Sequence, residues 1–486
     1  MVISSPRIML TALRGGAGKT TITVGLISAF RKRNHKVAAF KKGPDYIDAG
    51  WLAKASGSPC YNLDAFLMPI EEILDSFKTA SIQCDIAIIE ANRGLFDGMD
   101  IKGTCSSAEL AKVLRVPVVL IIDATKTTRT AAAMVKGCQC LDPEVHISAV
   151  ILNRVANPRH RSVLTAAIEK YCDVEVVGAV PKIKSQDFPE RHMGLVTSLE
   201  HGKIESSISR MEQIISENVD VDRLFEIACN AQAFYTSRES QIKYLKTSHH
   251  RNLTIGVVQD SAFQFYYPEN IEALGRNGAK IVPVTALSDR QLPRELDALY
   301  IGGGFPETHA QALSNNQTFR KSVKRAIEGG LPVYAECGGL MFLTEAVVWQ
   351  ERTFPMAGVI PGIALMEKKP QGHGYTVLEV SKNNPFFPTG LQMKGHEFHY
   401  SRLIHLKKEK IDLIFTLKRG TGIDEGRDGI RVNNALATYT HLHARSSPVW
   451  ADSFLEAASR YHLRKKPRGF LKDIKMTVRE MRLNLI

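Results

Sequence analysis

Two α/β domains are predicted for this chain on three observations. Apolar strand-like runs alternate with helix-patterned stretches twice over, once on each side of a polar, basic segment near residue 245. A glycine-rich turn carrying a lysine and two threonines follows the first run, and a cysteine followed by two glycines ends a run in the second half. Such alternation builds parallel sheets covered by helices.

The first rhythm places strands at residues 7–13, 37–41, 85–90, 117–123, 147–153 and 174–180, with helices among the stretches between them, such as 20–33 and 108–114. Residues 240–252, which include His249-His250-Arg251, are polar and basic and are expected to be a linker. The second rhythm places strands at 253–259, 280–284, 298–301, 333–335 and 435–440, with a helix over 270–277. The expected organisation is a P-loop domain over residues 1–240, a second α/β domain over 252–455 and a basic tail over 464–486.

A chain of 486 residues exceeds one ordinary core, and 44% hydrophobic with 23% charged residues fits a globular protein. No apolar run approaches the roughly 18 residues of a membrane span, and the first residues lead straight into a strand without a secretory pattern. The eight cysteines follow no framework spacing, so reduced thiols and a cytoplasmic setting are expected. Of the formal charge of +13, residues 464–486 hold eight Lys/Arg against two Asp/Glu. Without interleaved aromatic and basic residues this reads as a solvated charged helix, and neither a nucleic-acid nor a membrane partner is expected. A homodimer is left open.

The turn Arg14-Gly15-Gly16-Ala17-Gly18-Lys19-Thr20-Thr21 suits a nucleotide. Its glycines let successive amide N–H groups face a phosphate, and the helix that starts there favours an anion. Lys19 is expected to reach the outer phosphates and the Thr20 hydroxyl to ligate magnesium. Leu13 stands where the usual pattern has a glycine, so this is the variant loop with two glycines behind a basic residue. Asp45 and Glu90 each lie at a strand's carboxyl end, where ligands of open α/β sheets bind. Asp48 and Asp97 are further acids in the same position.

Cys337 follows a strand and precedes Gly338-Gly339, an elbow that exposes a nucleophile and offers the Gly338 N–H to an oxyanion. The triple glycine Gly302-Gly303-Gly304 is expected to supply a second N–H. His441, in Thr440-His441-Leu442-His443, is the candidate base for a thiol whose ordinary pKa is about 8.5.

These motifs together resemble the cobyrinic acid a,c-diamide synthase family over about residues 7 to 455. Further pieces that carry the resemblance are Lys42-Gly43-Pro44-Asp45-Tyr46-Ile47-Asp48, Gly94-Leu95-Phe96-Asp97-Gly98, Ile151-Leu152-Asn153-Arg154-Val155, Pro189-Glu190-Arg191-His192, Phe265-Tyr266-Tyr267-Pro268, Gly302-Gly303-Gly304-Phe305-Pro306-Glu307 and Gly395-His396-Glu397-Phe398-His399-Tyr400-Ser401. The resemblance implies an N-terminal domain like dethiobiotin synthetase and a C-terminal class I glutamine amidotransferase domain. It implies ATP-dependent amidation of two carboxylates of a tetrapyrrole through acyl phosphates, with ammonia released from glutamine at Cys337. By position, Thr20, Asp45 and Glu90 look like magnesium-site residues and Asn153 is similar to an adenine-reading asparagine. Tyr46, Ile47, Asp48 and Asp97 fall where tetrapyrrole and acyl phosphate should meet.

Two departures stand out. His441-Leu442-His443 replaces the usual His-x-Glu, so the third member of the thiol site is absent or comes from elsewhere. Glu90-Ala91-Asn92-Arg93-Gly94 replaces Glu-Gly-Val-Met-Gly. Close relatives amidate sirohydrochlorin, its nickel complex or sirohaem, which leaves the tetrapyrrole open between these and cobyrinic acid. The remote alternative is a P-loop regulatory ATPase of the partitioning type, which would leave Cys337 without a role.

Overall fold

The computed structural model describes residues 2–183, 190–191, 194–195, 204–235 and 252–465. They belong to two compact units, Met1–Gln241 and Ile242–Ile486. Most of the expected linker, the tail beyond Lys465, and Pro189 and His192 of the Pro-Glu-Arg-His motif lie outside the described residues.

The first unit holds a seven-stranded parallel sheet. Its strands are β1 (Arg7–Ala12), β2 (Val37–Lys42), β3 (Cys60–Leu63), β4 (Ile86–Glu90), β5 (Val118–Asp123), β6 (Ile147–Val155) and β7 (Glu175–Pro181). Their order is β3-β2-β4-β1-β5-β6-β7. Strands covered on both faces are near-continuous apolar runs, and β1, β2 and β4 are buried at every position, with charged residues only at their ends: Arg7, Lys41, Lys42 and Glu90. Helix α1 (Lys19–Lys32) returns from β1 and buries Ile22, Leu26, Ile27 and Phe30 against the sheet and against the helix Ile204–Asn218. Each such side chain contributes roughly 1.5–3 kcal/mol on burial. The order reverses beside β1, so the loop from β1 to α1 opens at the switch point of the sheet, where α/β proteins bind ligands. Helix α2 (Ile47–Ser56) starts just after β2 and sets Asp48 in its first turn.

The second unit is built on a ten-stranded mixed sheet. Its parallel part comprises β8 (Thr254–Val258), β9 (Lys280–Val284), β10 (Ala298–Ile301) and β11 (Val333–Glu336). The antiparallel part adds β12 (Gly372–Val380), β13 (Gln392–His399), β14 (Asp412–Arg419), β15 (Arg427–Val432), β16 (Ala435–Thr438) and β17 (His441–Leu442). The order is β9-β8-β10-β11-β16-β15-β14-β12-β13-β17. β11 pairs in parallel with both β10 and β16, which brings Glu336 level with Thr438. A four-stranded sheet, Thr344–Trp349, Arg352–Pro355, Ile360–Met366 and Ser401–Ile404, stands beside it. No helix of the described residues is long and apolar enough to cross a membrane.

Candidate active sites

The phosphate loop turns through two left-handed glycines, Gly16 at φ 71° and Gly18 at φ 86°. A Cβ added to Gly18 would lie 2.3 Å from Asn153 Nδ2, so no larger residue fits there. Gly15 and Gly16 face open space instead. Ala17 is buried, and its carbonyl accepts a 2.8 Å hydrogen bond from Asn153 Nδ2. Asn153 was expected at an adenine; in the described structure its amide grips the loop, and its Oδ1 accepts from Arg154 N. Arg154 Nη2 also donates to Gly16 O, while its Nη1 and Arg14 Nη2 share Asp123 Oδ2 at 2.7 and 3.0 Å. Asp123 is thereby held down at about 2 against the opposing effect of its own burial, through Thr125, Arg154 and Arg14.

Lys19 is buried at the head of α1 and donates to the carbonyls of Arg93 (2.8 Å) and Arg14 (3.2 Å). Burial, then the neighbouring Lys41, pulls its ammonium below the ordinary lysine range. Thr20 Oγ1 donates to Glu90 Oε1 at 2.9 Å, and Thr21 lies partly buried beside it in the first turn.

The acids gather around a lysine. Lys41, the fifth residue of β2 and almost fully buried, places its Nζ 2.5 Å from Glu90 Oε1, 2.6 Å from Asp48 Oδ2 and 3.9 Å from Asp45 Oδ2. Glu90 is fully buried and the Asp45 and Asp48 side chains are about three-quarters buried, at 26% and 22% exposure; such a cluster needs a counter-charge, and the chain supplies its own. Burial works against the Lys41 charge, but Asp48, Glu90 and Asp45 outweigh it and hold the ammonium well above the ordinary range. Burial and the Asp48 charge push Asp45 up to about 7. Burial also raises Glu90, whereas Lys41 overcomes burial to keep Asp48 low. Asp48, expected at the tetrapyrrole, is thus bound to Lys41, and its backbone N–H donates to Asp45 Oδ1. Tyr46 is the residue before α2, and Ile47 packs against the domain core. Asp97 is exposed and its carboxylate accepts from Gly94 N at 2.9 Å, closing its own turn.

The other oxygen of Glu90, Oε2, is buried and accepts no hydrogen bond from any described residue. With the Thr20 hydroxyl and the Asp45 carboxylate it makes an all-oxygen donor set, the kind that suits magnesium, so these residues fit that ion. Among the described residues no three His, Cys, Asp or Glu side chains are grouped to hold a metal alone, so ligands from the nucleotide or water would complete the shell.

In the second unit, Cys337 occupies a strained elbow, φ 48° and ψ −97°, between β11 and the helix Gly338–Leu343. Its N–H donates to Thr438 O at 2.7 Å, tying the elbow to the end of β16. Two observations draw the expected partners together. A Cβ on Gly338 would lie 3.0 Å from Gly304 N, so the two backbone segments offered as oxyanion donors are neighbours. A Cβ on Gly303 would lie 2.5 Å from His441 Cε1. Gly304 itself takes φ 156°, with Ala262 O only 2.1 Å from where a Cβ would sit. Burial, then the charge of Glu307, pushes the thiol up, so the resting group is protonated at neutral pH.

His441 is delivered by a turn pinned on Asp428. That fully buried carboxylate accepts from Thr438 Oγ1 and from the N–H groups of Tyr439, Thr440 and Gly429. The His441 ring stacks on His396 at 4.9 Å between centroids, and burial with the nearby His441 and His443 holds His396 well below its ordinary pKa. His441 Nδ1 lies 3.4 Å from Glu336 Oε2. His443, in the place usually taken by the acid, instead has Nε2 3.5 Å from Glu269 and packs at a tilt against the Tyr267 ring, 4.3 Å between centroids. Sequence reasoning found neither Glu336 nor Asp428. Glu336 was in plain sight beside the cysteine, but only the register of β11 with β16 brings it to the histidine.

One half of the chain therefore binds nucleotide and the other is a glutamine amidotransferase, which defines an ATP-dependent amidating ligase. The nucleotide-binding domain family described as CobQ/CobB/MinD/ParA matches residues 8–196, and the CobB/CobQ-like glutamine amidotransferase domain matches residues 254–449. A cobyrinate a,c-diamide synthase of Magnetococcus marinus is 39% identical over 448 residues, 92% of this chain and 96% of that one. Proteins of the same name from Methanosarcina acetivorans (38%, covering 96% of this chain and 98% of that one) and Archaeoglobus fulgidus (39%, covering 93% and 97%) are similar throughout as well. The chain belongs to the cobyrinate a,c-diamide synthase family.

Proposed function

We propose that this enzyme uses ATP and glutamine to convert the a and c side-chain carboxylates of cobyrinic acid to amides, one step of cobalamin biosynthesis in the cytoplasm. The observation that carries this reading is the presence, in one chain, of a phosphate loop closed onto Glu90 through Thr20 and a Cys337 elbow beside Gly304, Gly338 and His441. The names of its relatives supply the substrate.

A carboxylate resists attack by ammonia because its charge and resonance suppress its electrophilicity. Transfer of the γ-phosphoryl group of ATP to a carboxylate oxygen forms an acyl phosphate and ADP, and gives the carbonyl carbon a good leaving group. The loop amides from Gly15 to Thr21 and the Lys19 ammonium position the phosphates and oppose their charge. Thr20, Asp45 and Glu90 would hold magnesium, which would supply further neutralisation of phosphate charge. Lys41, freed from an acid as ligands arrive, keeps a second positive charge beside the transferring group. Tyr46, Ile47, Asp48 and Asp97 form the edge along which the tetrapyrrole carboxylate approaches.

At the other site Cys337 loses its proton to His441 and attacks the glutamine carboxamide carbon. The N–H groups of Gly304 and Gly338 stabilise the oxyanion, and His441 returns the proton to the departing ammonia. Water then cleaves the thioester to glutamate. Ammonia attacks the acyl phosphate, the C–O bond to phosphate breaks, and amide and inorganic phosphate leave.

Substrate carrying ¹⁸O in its carboxylates tests the activation step. One ¹⁸O should appear in phosphate for each amide formed. Amide formation with unlabelled phosphate would rule out the acyl phosphate.

A further inference from the structure

We infer that Glu336, the residue immediately before the nucleophile, is the carboxylate that orients His441, taking the role that an acid two residues after the histidine usually fills. The inference rests on the proposed Cys337–His441 pair.

The placement follows from strand geometry. Side chains alternate along β11, so Val333 and Ala335 enter one core while Tyr334 enters the other, and Glu336 follows Tyr334. There Glu336 is 1% exposed and fully engaged. Its Oε2 accepts from Tyr300 OH at 2.9 Å and lies 3.4 Å from His441 Nδ1, and its Oε1 accepts from Leu442 N at 3.1 Å. One carboxylate thus holds both the imidazole and the backbone of the next residue. Because Cys337 follows directly, the nucleophile and the orienting acid share a strand end, and the base is delivered beside the acid from β17.

An acceptor at Nδ1 fixes the tautomer in which Nε2 is free to take the thiol proton, and it stabilises the imidazolium that results. The neighbouring imidazoles cannot replace it. His396 stacks on the face of the His441 ring rather than meeting its edge, and His443 is turned to Glu269 and Tyr267. Glu336 is a positioning residue: it acts through His441 and touches no reacting atom.

The test compares the parent with Glu336→Gln, Glu336→Asp, Cys337→Ser and His441→Ala in the full chain. For Glu336→Gln, the glutaminase kcat should fall by about 10²–10⁴-fold with the glutamine KM within about threefold, as expected for loss of an orienting acid. Amidation with added ammonium chloride should continue, and Glu336→Asp should recover part of the lost kcat. The pH dependence of Cys337 alkylation by iodoacetamide should also change in Glu336→Gln, a readout that a merely structural role would leave alone. Parent kcat and an unchanged alkylation profile in Glu336→Gln would overturn the inference, provided that Cys337→Ser and His441→Ala are inactive as glutaminases. Activity in either of those two would instead overturn the Cys–His pair itself. If Glu336→Gln also loses ammonia-dependent amidation, Tyr300→Phe decides. It removes one hydrogen bond to the same oxygen and should shift the alkylation profile, and an unchanged profile there would contradict the inference.

Discussion

Lys41 Nζ and Glu90 Oε1 lie 2.5 Å apart, both almost wholly buried, at the carboxyl ends of neighbouring strands β2 and β4. The pair stands where the sequence alone suggested two acids around a metal. A resident ammonium lets three carboxylates persist beside a phosphate loop without nucleotide, and it leaves Glu90 Oε2 for another ligand.

Replacing that ammonium should expose its cost. Lys41→Met leaves Asp48 and Glu90 without their counter-charge and should destabilise the first domain by about 3–5 kcal/mol, as breaking buried ion pairs does. Urea unfolding measures the loss, and added magnesium should raise the variant's midpoint more than the parent's. An unchanged midpoint would show that Lys41 is not what holds the cluster together.

Asp45 imposes a pH dependence whose sign is fixed by its raised pKa of about 7. A carboxyl raised above its unfolded value near 3.9 binds its proton more tightly when folded. Its contribution is therefore full below pH 4 and is lost as pH rises through 7. Without magnesium, the parent should lose stability relative to Asp45→Asn between pH 4 and 7, by roughly 2–4 kcal/mol. Parallel stability curves for the two proteins would refute this assignment.

Lys19→Ala should remove amidation with either nitrogen source by about 10²-fold or more, since the phosphate loop loses its charged donor. Glutamine hydrolysis should remain measurable. Amidation at the parent rate with ammonia would place phosphate transfer elsewhere.

Cys337→Ser should behave the other way. Glutamine-dependent amidation should vanish while ammonia-dependent amidation persists, because free ammonia bypasses the thiol. Full glutamine-dependent turnover would exclude Cys337 as nucleophile.

Much of this was legible because parallel strands are locally marked. The runs that became β1, β2, β4, β5 and β6 are mostly apolar, with their charged residues towards the ends, and the glycine-rich loop has a phosphate-binding composition that needs no neighbours to be recognised. The antiparallel strands β12 to β15 left no such mark. Gly372–Val380 carries His373, Tyr375 and Glu379 between buried positions, and a half-exposed strand of that kind resembles a loop. Glu336 and Asp428 escaped for another reason. Each acts on residues about 105 and 10 positions away through sheet register, which no spacing within a motif encodes. Lys41 was visible as a charge, but its burial among acids depends on the close approach of β2, β4 and α2.

The most direct test supplies the enzyme with ATP, magnesium, glutamine labelled with ¹⁵N at the amide, and either cobyrinic acid or sirohydrochlorin, and follows the tetrapyrrole by mass spectrometry. The account predicts that cobyrinic acid gains two ¹⁵N amides, at the a and c positions, faster than sirohydrochlorin gains any. Preferential amidation of sirohydrochlorin, or no labelled amide in either, would contradict it.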